Sequence, residues 1–278
     1  MRRTKPGTLL KHQVPIRSER WNVHESGWCE VDLVAHCGDS GFGDFINSVN
    51  ATDVASTWTE TRAVIGKSQQ FVVNALDDIR RSLPFSLRGI DSDSGSEFIN
   101  RHCIEWCRKN ALDFTRSRPY RKNDNAHIEQ KNWTHVRKIF GWRRLDNPDA
   151  LELMNDLYRN ELCMWLNYFQ PSVKLVTKHR VGSRVKRVYD EPQTPLDRLV
   201  ALGSVDADLL SVMLARRAAT NPFVLSAAIE AKIAVILKAP TLGPGQRQGK
   251  RLEGALSKSH ARRIEDAETA TVRSYVAR

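Results

Sequence analysis

The chain has 278 residues, 41% of them hydrophobic, with 43 Lys and Arg set against 32 Asp and Glu for a formal charge of +11. That is enough apolar material to bury a core, which excludes a disordered chain and fits one ordinary domain with extensions or two small ones. The positive balance favours a polyanion such as nucleic acid as partner, and with no eighteen-residue apolar run and no secretory core near the start, neither a membrane span nor export is expected.

Residues 1–24, rich in Lys and Arg and broken by Pro6, Gly7 and Pro15, are expected to form a basic N-terminal arm. WCEVDLVAHC, DFINSVNAT and VASTWTETRAV then carry strand-like runs separated by turn formers, so 28–65 reads as a three-stranded antiparallel meander. Behind Ser68, residues Phe71, Val72, Ala75, Leu76, Ile79 and Leu83 repeat at helical spacing. SLRGID reads as a short strand, SEFINRHCIEWCRKN as a helix opening at Ser96, and DFTRSR as another strand. Hairpins followed by such crossovers imply an α/β fold with a mixed sheet and helices on its faces.

Two long helical patterns follow, about 126–142 and 147–169, the second with an apolar stripe from Leu151 to Phe169. They complete a core expected over 25–170. A basic C-terminal module with helices is expected over 171–240, and a basic tail of poor order over 241–278. Within the module, 206–218 is helical in pattern, while 223–237 reads either as a packed helix or as an apolar run that aids assembly. The five cysteines, odd in number and without a CxxC pair, read as reduced core thiols of a cytosolic protein. His102, Cys103 and Cys107 have the spacing of a buried helix face more than of a zinc site.

Three carboxylates stand out. Asp32 interrupts an apolar strand, where an acid is costly unless it binds something. Asp93 follows the GID strand at its carboxyl end, where open α/β sheets hold ligands. Glu129 comes after thirty-five further residues, in the first turn of a helix, a position that the helix dipole also favours. Hard oxygen donors of this kind suit a pair of Mg2+ ions, which can stabilise the attacking and leaving oxygens of a phosphoryl displacement.

On these residues, and on PIRSERW, EVDLVAHCG, TDVASTWTETRAV, GIDSDSGSEFIN, FTRSRPYRKND, HIEQKNW, QPSVKLV, RVGSRVKR and TPLDRL, the chain over roughly 6–200 resembles the DDE catalytic core of retroviral integrases and integrase-core-containing insertion-sequence transposases. The resemblance implies a ribonuclease H-like five-stranded sheet flanked by helices. It implies Asp32, Asp93 and Glu129 as catalytic residues and ligands of two Mg2+ or Mn2+ ions, and transposon ends and target DNA as substrates. A homo-oligomer in the active complex and a cytoplasmic, nucleoid-associated bacterial location go with it.

Asp91 rivals Asp93 as second ligand, and Ser94 departs from the usual Asn. Nothing before Trp21 is long enough for the helix-turn-helix that such transposases use to read their ends. Catalysis therefore stands beside a second reading, a decayed or repurposed remnant that binds DNA without cutting it. A nuclease for RNA–DNA hybrids is a third, disfavoured by the transposase-type sequence blocks.

Cations crowd the stretch around Glu129. Arg118, Arg121, Lys122, Lys131, Arg137 and Lys138 are candidate phosphate contacts, Asn132 a candidate contact to ligand or DNA, and Lys186 and Arg187 part of a second DNA-binding surface in a small β module. Asn125 is a candidate helix cap and His127 a candidate proton shuttle, and Trp133 is expected in the core.

Overall fold

The computed structural model describes residues 10–17, 24–118, 126–182 and 184–243. Arg121, Lys122, Asn125 and most of the expected tail lie outside them, as does the side chain of His127. The alternating sequence from residue 28 forms the expected meander, β1 (Trp28–Ala35), β2 (Ile46–Asp53) and β3 (Thr59–Ile65), paired antiparallel with Asp32 opposite Asn50. Helix α1 (Gln69–Ser82) leads to β4 (Gly89–Ser92), and α2 (Arg101–Lys109) to β5 (Asp113–Arg116). β4 runs parallel to β1 and β5 parallel to β4, giving the order β3-β2-β1-β4-β5. This is the mixed five-stranded, helix-flanked sheet of the ribonuclease H-like fold.

Period-two alternation divides the sheet into two faces. Cys29, Val31, Val49, Ala51, Val64 and Ile90 pack against Val72, Leu76 and Ile79 of α1 and Cys103, Trp106 and Cys107 of α2. These three thiols are core groups, whereas Cys37 and Cys163 are only half-buried, and His102 is exposed on the other side of its helix. α2 starts at Arg101, not Ser96. Asn100 sets that start by accepting the Cys103 N–H at 2.9 Å while its own amide closes the preceding turn on Glu97 O at 2.8 Å.

The opposite face is covered by two further helices. α3 comprises Ala126–Lys131, a wider π-helical stretch Asn132–Arg137, and Lys138–Phe140. α4 runs as Pro148–Leu157 and continues through π turns at Tyr158–Leu162 and Trp165–Phe169. Val34, Ile46, Ala63 and Ile65 meet Val136, Phe140, Leu151, Met154 and Leu157 there. The edge of β3 is closed by two buried asparagines of α4. Asn155 bonds Ala63 N and O, both at 2.9 Å, and Asn167 bonds Thr59 N and O, both at 2.9 Å, so each amide stands in for the missing strand.

Residues 10–17 are not simply an extended arm. Val14 is buried with Ile99 and Ile104, and Ile16 bridges to Arg116 alongside β5. Beyond α4, β6 (Leu175–Val181) and β7 (Arg184–Tyr189) form a separate two-stranded sheet, with β7 exposed throughout. α5 (Pro195–Leu202), α6 (Ala207–Ala219) and α7 (Pro222–Lys238) return to the body of the protein. Leu196, Leu199 and Met213 pack on Trp58 and Tyr168, and Ile229 and Ile236 of α7 join the cluster around α4. The 223–237 run is therefore a packed helix. No helix among the described residues is long and apolar enough to cross a membrane by itself, although α6 and α7, bent by 84° at their junction, together have such a length and composition.

Candidate active site

β1 and β4 lie side by side and parallel, so the residues at their carboxyl ends share one rim of the sheet. Asp32 projects from the face beneath α3. Its Oδ1 accepts the Leu33 N–H at 2.7 Å and its Oδ2 accepts the Asn132 amide at 2.6 Å. Asn132 in turn accepts from Asn50 at 3.0 Å, and Asn50 from Thr61 at 3.0 Å, a relay that fixes the Asn132 amide toward Asp32. Burial pushes the Asp32 carboxyl up to about 6; Asp93 and Glu97 add to the rise, while the Leu33 and Asn132 hydrogen bonds oppose it.

Asp93 follows β4 directly, and its Oδ1 accepts the Gly95 N–H at 2.9 Å. A Cβ at Gly95 would lie 2.8 Å from Asp93 Oδ1 and 2.6 Å from the Glu97 carboxyl carbon, so a larger residue here would displace these two carboxylates. The charges of Asp93 and Glu97 both bear on Asp32. Glu97 was visible as the acid of DSGSEF, but its convergence depends on the Gly95 turn. Asp91, by contrast, is buried beneath the site. It accepts from the Thr115 hydroxyl and lies 3.6 Å from Arg17, which also pairs with Glu30 at 3.4 Å.

Glu129 sits exposed on the first turn of α3. The start of that helix is tied to β1, because Ile128 N–H donates to Glu30 Oε2 at 3.1 Å. The Glu30 carboxyl is pushed up to about 7 by burial, with Asp91 adding to the rise and the Ile128 and Arg17 contacts opposing it. Neither Glu30 nor Arg17 was singled out from sequence, because their partners come from four separate segments. Among the described residues no three His, Cys, Asp or Glu side chains are disposed to hold one ion together. Hard carboxylate oxygens such as those of Asp32 and Asp93 are nevertheless donors of the type that a divalent cation takes.

The structure sorts the cationic candidates. Lys131 is only 6% exposed and is pushed down to about 8 by burial and the nearby Arg198, so it faces inward and is not a surface contact. Asn132 is engaged with Asp32. Arg118 and Lys138 are exposed, and Arg137 is half-buried with its guanidinium 4.1 Å from the Trp142 ring centroid. Lys186 and Arg187 stand exposed on β7, opposite His179 and Lys178. Trp133 is not in the core: it is 53% exposed.

Residues 23–122, a stretch that carries Asp32 and Asp93, match the family model described as Integrase core domain. The uncharacterized protein y4rM of Sinorhizobium fredii (strain NBRC 101917 / NGR234) is 40% identical over 198 residues, which make up 71% of this chain and 56% of that protein. The chain thus spans about half the length of this curated relative. Among solved structures, the BIV integrase catalytic core domain is similar with 12% identity and a TM-score of 0.39, covering 53% of this chain and 87% of that one. The simian T-cell lymphotropic virus intasome in complex with PP2A regulatory subunit B56 gamma gives 16% identity and a TM-score of 0.44, over 65% and 72% of the two chains. The HTLV-2 integrase catalytic core domain in complex with magnesium gives 13% and 0.39, over 53% and 91%.

Proposed function

We propose that this chain acts as an integrase-type DNA transposase, a polynucleotidyl transferase that cleaves transposon ends and joins them to target DNA. The observation that carries this reading is the meeting of Asp32 and Asp93 at the parallel β1–β4 rim, within an integrase-core match and beneath the helix that bears Glu129. Asp32, Asp93 and Glu129 are the residues that would hold two Mg2+ or Mn2+ ions. When bound, such ions activate water or a 3′ hydroxyl and neutralise charge on the phosphodiester.

The chain's own groups do the positioning. Asn132 orients the Asp32 carboxylate, the Gly95 turn orients Asp93, and Glu30 anchors the first turn of α3 beside Glu129. Arg118, Lys138, Lys186 and Arg187 are proposed to track DNA phosphates, with Arg121 and Lys122 of the preceding loop as further candidates. Two DNA ends must be held together, so a homo-oligomer in the active complex and a cytoplasmic, nucleoid-associated location belong to the same proposal.

The test is strand transfer from pre-cleaved ends in Mn2+. Asp32→Asn, Asp93→Asn and Glu129→Gln should each abolish joining while the protein stays folded; metal-dependent activity retained in any of them would sink the assignment. The alternative, a remnant that binds DNA without catalysis, is favoured by the exposure of Glu129 and by Ser94 beside Asp93. Binding without joining in the unaltered protein would select it.

A further inference from the structure

The outward face of α3 carries a feature that phosphate chemistry leaves unused. Ile128, Lys131, His135 and Val136 are turned into the protein, whereas Glu129, Gln130, Trp133 and Lys138 face outward. Glu129, Trp133 and Arg137 recur at every fourth position, and such residues are neighbours on a helix surface. The strip continues past the helix end, where Trp142, 69% exposed, lies under the Arg137 guanidinium at 4.1 Å. Two indoles with a cation between them thus lead away from a proposed catalytic carboxylate. Exposed indole is costly to leave in water, and rings interleaved with cations match a strand that is aromatic along its bases and anionic along its backbone.

We infer that Trp133, continued by the Arg137–Trp142 pair, is a stacking platform for unpaired nucleobases of a DNA strand next to Glu129. It rests only on the DNA-binding half of the proposed function. Stacking and phosphate contact separate experimentally, since stacking tolerates salt and needs an unpaired base, while phosphate contact is salt-dependent and serves duplex equally.

The full chain is titrated, in EDTA to prevent cleavage, with a fluorescent single-stranded oligothymidine and with a blunt duplex of equal length, following anisotropy and tryptophan quenching. Trp133→Ala should weaken single-strand binding by about tenfold, within the range of one lost stacking contact, while Trp133→Phe retains most of the affinity. Duplex affinity should stay within about twofold for both variants. Lys138→Ala should reduce the salt dependence for either probe. Equal losses for duplex and single strand, no loss in Trp133→Ala, or a change of oligomeric state in sedimentation that marks the face as an interface between copies, would each overturn the platform. If the unaltered chain binds neither probe, the proposed function fails with it; binding that ignores Trp133 removes the platform alone.

Discussion

Asn132 donates its amide to Asp32 across 2.6 Å, joining the helix that bears Glu129 to the central strand of the sheet. The contact favours the ionised carboxylate, so removing it makes Asp32 harder to ionise. Asn132→Ala should move the acid limb of the strand-transfer pH profile upward, and Asn132→Asp should repel Asp32 and lose more activity than Asn132→Ala. An unshifted acid limb in Asn132→Ala would show that the amide does not govern Asp32.

The stability cost of Asp32 has a definite sign. Its carboxyl binds a proton more tightly folded, at about 6, than unfolded, at about 3.9. Its contribution is therefore fully present below about pH 4 and is lost as pH rises through about 6. Asp32→Asn should melt a few degrees above the unaltered protein at pH 7.5 and level with it at pH 4. Added Mn2+ should narrow the gap at pH 7.5. Thermal melts across this range give the comparison.

Arg17 links the N-terminal segment to the start of α3 through Glu30. Its charge helps Glu30 ionise, so without it Glu30 titrates above its present value of about 7. At pH 5 Glu30 is protonated with or without Arg17. At pH 8 only the unaltered protein holds a paired carboxylate. Arg17→Ala should thus destabilise more at pH 8 than at pH 5, and amide exchange at Ile128 should accelerate at pH 8. Equal losses at both values would remove Glu30 from the explanation.

Asn155 satisfies a backbone N–H and C=O on the outer edge of β3. Asn155→Ala strands both groups in a buried setting, at a cost of about 1–3 kcal/mol each. Asn155→Asp keeps an acceptor for Ala63 N–H but turns a charge toward Ala63 O, and should be worse. Urea denaturation measures the loss. Leu157→Ala, at a fully buried position on the same helix, should cost about 2–5 kcal/mol by leaving a cavity.

Sequence by itself determined the succession of strands and helices along the chain and the elements on which Asp32 and Asp93 stand; the spatial order of the strands came from their pairing. Strand alternation with period two and the turn residues between runs are local signals, and an acid in an apolar strand is conspicuous where it lies. The start of α2 was misplaced because its cap is chosen by one turn of hydrogen bonds around Asn100, not by the apolar pattern.

The orientation of α3 was decided only in three dimensions. Residue type alone puts Lys131 outside and Trp133 inside, yet the structure has the reverse. Asn132 is drawn to Asp32, Ile128 N–H to Glu30, and the π-helical stretch from Asn132 alters the pitch, so the buried face passes through Lys131 and His135. The same holds for Glu97, Arg17 and the asparagines at the edge of β3. Each matters through a partner distant in the chain, and only the closed sheet places the two together.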